Sequence, residues 1–273
     1  PILIVSASFN RGEVFNTYEA LSAGAVDVLD KSADADDDWA QRFISTVRIV
    51  SRIKVITHPR SRLRSLDRKA VAQAASPLAK NGSRAEIVAI GASTGGPGAI
   101  VDVLAGMPKQ FPLPILVVLH VDASFAASFA DWLGQRSGRN VRIPADGELI
   151  ADAVNQVLFA PPHKHLTIVA GRARLVDSPP RHHCRPSVDV LFESLAADRG
   201  ARTVATLLTG MGRDGAAGLL AIRRAGGHTI AQDEMSSVVY GMPREAALLG
   251  AADRILPLSE IGAAICAAVG GNE

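Results

Sequence analysis

Residues 86–98 read Glu-Ile-Val-Ala-Ile-Gly-Ala-Ser-Thr-Gly-Gly-Pro-Gly, so a single serine sits among glycines where an apolar run stops. Gly91-Ala92-Ser93-Thr94-Gly95 fits the G-x-S-x-G turn, which lifts a nucleophilic hydroxyl above a parallel sheet at a strand-to-helix junction. A serine hydroxyl is a weak nucleophile until a histidine takes its proton, and that histidine needs a carboxylate to fix its tautomer. Two further strand ends carry these groups. His120 closes the run Leu116-Val117-Val118-Leu119, and Asp214 lies in Thr209-Gly210-Met211-Gly212-Arg213-Asp214-Gly215, just after an apolar run at 203–208. A serine, a histidine and an aspartate on one rim would perform acyl transfer: hydrolysis of an ester or amide with no cofactor and no metal.

Other readings of the same residues compete. A glycine-rich loop after a strand also cradles the pyrophosphate of a dinucleotide, which would use Gly91–Gly96 on phosphate and Asp122 on a ribose. Against this, Ser93 occupies the second fingerprint glycine, and Asp122 lies farther from Gly91 than the roughly 20 residues expected. A catalytically idle binding adaptor is a third reading. The order Ser…His…Asp differs from the Ser…Asp…His of α/β-hydrolases, although the same geometry recurs in several chain orders. His182-His183-Cys184 looks like a metal cluster but lacks a second ligand pair in sequence, and no metal is expected there.

Positioning three groups on one rim requires an open α/β sheet, where functional groups collect at the carboxyl ends of strands. From Glu86 onward, apolar runs at 87–90, 114–119, 203–208, 229–231 and 254–256 alternate with helical patterns at 97–106, 125–134, 187–198, 214–225, 243–249 and 259–268. This predicts a doubly wound, mostly parallel sheet. The different texture of 157–160, 166–169 and 174–176 predicts an antiparallel hairpin at its edge. Residues 1–53 read as two strand–helix units, and 54–84 as a linker.

The chain has 273 residues, 48% of them hydrophobic and only 4% aromatic, which suits an aliphatic α/β core. Its net charge of +2 is uneven. Residues 1–53 carry −3, residues 54–84 carry +7 and residues 85–273 carry −2, so the basic excess belongs to the linker and nucleic-acid binding is not expected. No apolar run approaches the roughly 18 residues of a membrane span. Two distant cysteines, Cys184 and Cys266, argue against a disulfide framework and suit a reducing cytoplasm. The chain opens at Pro1 inside a strand-like run, as a fragment would.

Several stretches resemble the catalytic domain of the bacterial chemotaxis protein-glutamate methylesterases. They are Gly91-Ala92-Ser93-Thr94-Gly95-Gly96-Pro97, His120 at its strand end, Phe159-Ala160-Pro161-Pro162 with His165-Leu166, and Arg185-Pro186-Ser187-Val188-Asp189-Val190-Leu191-Phe192. Leu208 to Gly215, Ala231-Gln232-Asp233-Glu234 and Gly241-Met242-Pro243 complete the set. The resemblance spans nearly all of residues 86–258, with one departure: Val121-Asp122 stands where the family usually has Met-Pro. It implies a serine hydrolase that removes methyl esters from glutamyl side chains of chemoreceptors, releasing methanol, and deamidates receptor glutamines. Ser93 is then the nucleophile, His120 the acid/base and Asp214 its orienting carboxylate. The backbone N–H groups of Met211 and Thr94 would support the oxyanion.

Residues 1–53 resemble the second half of a flavodoxin-like response-regulator receiver, with Ser6 at the switch-hydroxyl position and Lys31 at the invariant lysine. The resemblance implies methylated receptor helices as substrate and a chemotaxis histidine kinase as phosphodonor to a full-length receiver. The phosphoacceptor aspartate would precede Pro1. Residues 1–53 are expected to be mobile, or ordered by packing on the hydrolase part or on a second copy.

Overall fold

The protein is described here by a computed structural model covering residues 1–6, 11–31, 37–51, 53 and 85–270. The expected basic linker, 54–84, lies outside the described residues.

Seven strands form a wholly parallel sheet: β3 (Ile87–Ala92), β4 (Ile115–Leu119), β5 (Asn140–Arg142), β6 (Gln156–Phe159), β9 (Thr203–Leu207), β10 (His228–Gln232) and β11 (Arg254–Leu256). Their order across the sheet is β11-β10-β9-β3-β4-β6-β5. Successive strands add on one side of β3 up to β6 and then on the other side from β9. The topological switch therefore falls between β3 and β9, where an open α/β sheet places its site.

Every residue of β3, β4 and β9 is buried. Both faces of a parallel sheet are covered by helices, so its central strands are apolar throughout instead of alternating. Strand pleating still sorts the side chains. Val88, Ile90 and Ala92 join a core that includes Ile100 and Val103 of α3 (Gly96–Ala105), Phe129 of α4 (Ala123–Ser137) and Ile265 of α8 (Leu258–Gly270). Ile87 and Ala89 join the opposite core with Val188 and Leu191 of α5 (Val188–Arg199), Leu219 of α6 (Ala216–Arg224) and Ala246 of α7 (Met242–Leu248).

The predicted hairpin is present as β7 (His165–Val169) and β8 (Arg172–Val176), paired antiparallel. It forms its own two-stranded sheet, with β7 against α5, and does not extend the main one. The neighbouring run at 156–159 is instead β6, paired between β4 and β5 in the main sheet. Sequence periodicity gave no sign of β5, a three-residue edge strand with no fully buried side chain.

The first strand–helix units are β1 (Leu3–Ser6), α1 (Arg11–Ser22), β2 (Asp27–Asp30) and α2 (Asp37–Val50), with β1 and β2 forming a parallel pair. They pack against α3 and α4 of the part that carries the seven-stranded sheet, one of the arrangements expected. Tyr18 and Leu21 of α1 belong to the same core as Phe129 and Trp132 of α4. The Tyr18 ring lies 5.3 Å from Phe129 and 5.2 Å from Trp132, within the range of favourable aromatic pairs. Its hydroxyl donates to the Phe125 carbonyl at 3.0 Å, and Trp132 Nε1 donates to Glu19 Oε1 at 3.0 Å. Replacing Tyr18 by alanine would open a large cavity in this shared core. Urea unfolding of Tyr18→Ala is expected to show a loss of about 3–5 kcal/mol; a loss under about 1 kcal/mol would show that α1 is not part of that core.

Candidate active site

The turn after β3 carries Ser93. Its N–H donates to the Thr209 carbonyl beyond β9 at 3.0 Å, and its carbonyl accepts from Gly96 N–H at the start of α3. Gly95 has φ +77°, a left-handed conformation that glycine adopts freely, and a Cβ there would meet Val238 at 2.6 Å. At Gly91 the constraint is space: a Cβ would lie 2.3 Å from Val188, the first residue of α5. Val188 and Val238 side chains pack directly against these glycines, where a dinucleotide loop needs its backbone open to the pyrophosphate, and this speaks against the dinucleotide reading.

His120 follows β4 directly, its N–H donating to the Ala92 carbonyl at 3.1 Å, one residue before Ser93. Asp214 lies between β9 and α6. His120 Nε2 and Asp214 Oδ2 are 2.8 Å apart. The Asp214 side chain is 2% exposed, and three more donors converge on it. Ser187 Oγ donates to Oδ1 at 2.7 Å, Val188 N–H to Oδ2 at 2.7 Å and Asp189 N–H to Oδ1 at 3.1 Å. The carboxylate therefore caps the N-terminus of α5, where unpaired N–H groups and the helix dipole favour an anion.

These contacts set the charges. Burial works to raise Asp214, but the hydrogen bond from His120, the charge of His120 and the bonds from Ser187 and Asp189 hold it below the usual carboxylate value. Burial likewise opposes a charged His120. The hydrogen bond to Asp214 overrides it, followed by the bond to Cys184, and His120 is pushed up to about 9. The contact favours the imidazolium–carboxylate form, so His120 must lose its Nδ1 proton before that nitrogen can act as a base.

Of the residues singled out by sequence, His120 and Asp214 are brought into direct contact. Ser93 stands on the same rim, on the strand between theirs, and its Oγ makes no hydrogen bond among the described residues. Catalytic hydrogen bonds of this kind are often loose until substrate binds. Ser93 packs against Gly210, where an added Cβ would meet Ser93 Cβ at 2.7 Å, so the following peptide, with the Met211 N–H, runs beside the serine. The N–H groups of Thr94 and Met211 have no hydrogen-bond acceptor among the described residues. Ser6 and Lys31 sit at the ends of β1 and β2, with the Lys31 N–H donating to the Ser6 carbonyl at 2.8 Å.

The structure adds partners that the sequence did not single out. Ser187, read only as part of a motif, both caps α5 and binds Asp214. Asp189, wholly buried, accepts from Gly218 N–H at 2.7 Å and lies 3.1 Å from His182 Nε2. His182 and Cys184, which have no second ligand pair near them in sequence, do have such groups near them in space. These come from other elements: His120, Cys184 and Asp214 cluster together, as do His182, Asp189 and Asp214. Sequence spacing hid this because the companions come from β4, α5 and the loop after β9.

The β1–α2 segment reaches the same rim. Thr94 Oγ1 donates to Asp27 Oδ2 at 2.9 Å, and Gly95 N–H donates to the Val26 carbonyl at 3.1 Å. A cleft of about 280 Å³ there is lined by Asp27, Leu29, His120, Asp122, Cys184 and Arg185, among others.

The profile of the family described as CheB methylesterase matches residues 88–265. The chain belongs to this family. It is 46% identical over 97% of its length to a protein-glutamate methylesterase/protein-glutamine glutaminase of Anaeromyxobacter dehalogenans, covering 74% of that protein. A Pseudomonas aeruginosa protein of the same name is 41% identical, with 97% of this chain and 74% of that one aligned. The crystal structure of the Thermotoga maritima CheB methylesterase catalytic domain superposes with a TM-score of 0.63 at 36% identity. That alignment covers 67% of this chain and 98% of the other. Within the CheB methylesterase fold, the switch point between β3 and β9 is thus where Ser93, His120 and Asp214 gather.

Two measurements probe this charge arrangement. Ser187→Ala removes one donor from a buried carboxylate and is expected to cost about 1–3 kcal/mol in urea unfolding. A base must be unprotonated to accept a proton, so kcat/KM is expected to rise with pH until about 9, the value of His120. Stability runs the other way. His120 lies above its ordinary value, so its contribution is complete below about 6.5 and is lost as pH rises through about 9. A rate that is flat from neutral pH upward would show that Asp214 does not hold His120 that high.

Proposed function

We propose that this chain hydrolyses methyl esters of glutamyl side chains on chemoreceptors, releasing methanol, and deamidates receptor glutamines. The observation that carries the residue roles is the 2.8 Å His120–Asp214 contact at the strand end beside Ser93. Ser93 attacks the ester carbonyl. Because His120 Nε2 is committed to Asp214, Nδ1 is the nitrogen that takes the Ser93 proton. The imidazolium then returns the proton to the departing methoxide, giving methanol and an acyl-enzyme. Water, deprotonated by the same nitrogen, hydrolyses that ester and regenerates Ser93. The free N–H groups of Thr94 and Met211 are the donors for the oxyanion, the group on which charge develops. For a glutamine side chain the leaving group is ammonia, by the same steps.

We read residues 1–53 as part of a response-regulator receiver, supported by the parallel β1–β2 pair with Ser6 and Lys31 at its ends. In a full-length chain the phosphodonor is a chemotaxis histidine kinase. Among the described residues no helix is long and apolar enough to cross a membrane.

Methanol release from methylated receptor membranes tests the roles. Ser93→Ala is expected to abolish release with little change in folding; release near the parental rate would exclude a covalent serine mechanism. Asp214→Asn leaves the shape but favours the wrong imidazole tautomer, with an expected loss approaching about 10⁴-fold. A loss under about tenfold would leave Asp214 as a helix cap only.

A further inference from the structure

Cys184 takes no part in this mechanism, yet a strained turn delivers it to the histidine. Arg181 and Cys184 exchange both backbone hydrogen bonds, Cys184 N–H to Arg181 O at 2.8 Å and Arg181 N–H to Cys184 O at 3.1 Å. The two residues between them, His182 and His183, have φ of 51° and 62°. Turns with two positive φ values favour asparagine and glycine, so a His-His pair holds this one at a cost. The result places Cys184 Sγ 3.7 Å from His120 Nδ1.

That separation matches a metal chelate. Zinc binds thiolate sulfur at about 2.3 Å and imidazole nitrogen at about 2.0–2.1 Å, and a tetrahedral angle between them puts the two donors about 3.6 Å apart. His120 is also oriented as metal-binding histidines are: its other nitrogen is bonded to a carboxylate, Asp214, which fixes the ring and leaves Nδ1, once deprotonated, as the donor. The second cluster, His182 with Asp189 and Asp214, differs. His182 Nε2 faces Asp189, and its Nδ1 accepts from Arg213 Nε at 3.3 Å, so neither nitrogen is left for an ion.

We propose that Cys184 Sγ and His120 Nδ1 form a binding site for a thiophilic divalent cation of the zinc class, and that occupancy switches the esterase off. Coordination forms the Sγ–metal and Nδ1–metal bonds, the thiol proton and the Nδ1 proton of the imidazolium pass to solvent, and no electron is transferred. Cys184 lines a cleft on either side, so solvent can supply the remaining ligands as water. The bound ion takes the lone pair that the Ser93 proton requires. Hard cations such as magnesium prefer oxygen donors and are not expected to act. The inhibitory half of this proposal rests on the esterase reading; the binding half does not.

The experiment titrates the whole chain with zinc chloride and cadmium chloride, following methanol release and, separately, the ultraviolet cadmium–thiolate charge-transfer band. Zinc is expected to stop release, chelator to restore it, and equal magnesium to leave it unchanged. Against its own metal-free rate, Cys184→Ser is expected to need at least about tenfold more zinc and to lose the band. Cys266→Ser, which alters the other cysteine, is expected to keep both effects. Equal zinc sensitivity in Cys184→Ser and the parent, or a band lost with Cys266 instead, would overturn the site. A band without loss of release would overturn the switch. Failure of the metal-free chain to release methanol would count against the esterase reading alone, since the band still reports the site.

Discussion

A carboxylate almost shut off from water is stable only if its whole charge is answered locally, and Asp214 is answered from four directions. Three donors come from one stretch of chain at the head of α5, the Ser187 hydroxyl and the Val188 and Asp189 N–H groups, and the fourth is His120 from the end of β4. One side chain from the loop after β9 thereby ties together a helix, a strand end and the chain leading into α6. Removing a single donor would leave a buried negative charge short of a partner, so the position of α5 and the orientation of the imidazole are held by the same atoms. The geometry of the proposed triad and the stability of the fold share one set of hydrogen bonds here.

That arrangement requires α5 to approach the sheet and α6 closely. A Cβ at Gly91 or Gly215 would strike Val188, and one at Gly218 would lie 2.6 Å from Phe192 Cβ. With no side chain at Gly218, its N–H reaches Asp189. The glycines near the site thus serve helix packing as much as turn geometry, and packing is what lets backbone N–H groups meet two buried carboxylates.

Sequence made the architecture legible wherever burial imposes a period. The fully apolar runs of β3, β4 and β9 and the helices between them are visible because both sheet faces must be covered. Ser93, His120 and Asp214 are legible because strand ends are where a parallel sheet exposes polar groups. Ser187, Asp189 and Cys184 were not, because their roles depend on contacts between elements distant in sequence. Ser187 and Asp214 are 27 residues apart, and Cys184 and His120 are 64 apart. The edge strand β5 escaped because three residues with no fully buried side chain carry no period. The anchoring of α1 through Tyr18 was likewise beyond a pattern reading, since a lone tyrosine on a weakly amphipathic helix does not announce its partner.

The register of the central strand has a consequence for how the molecule is made. β3 is the first strand of the large sheet to be synthesised and lies at its centre, yet one of its two neighbours is β9, whose Thr203 pairs with Ile87. More than a hundred residues must leave the ribosome before that edge can close. Contacts so distant in sequence form slowly, and an unpaired apolar edge recruits other strands while it waits. The nascent chain therefore carries an apolar strand, Ile87 to Ile90, open on one side until β9 has been made. The same strand order that creates the catalytic crevice makes this protein dependent on whatever shields that edge until β9 arrives.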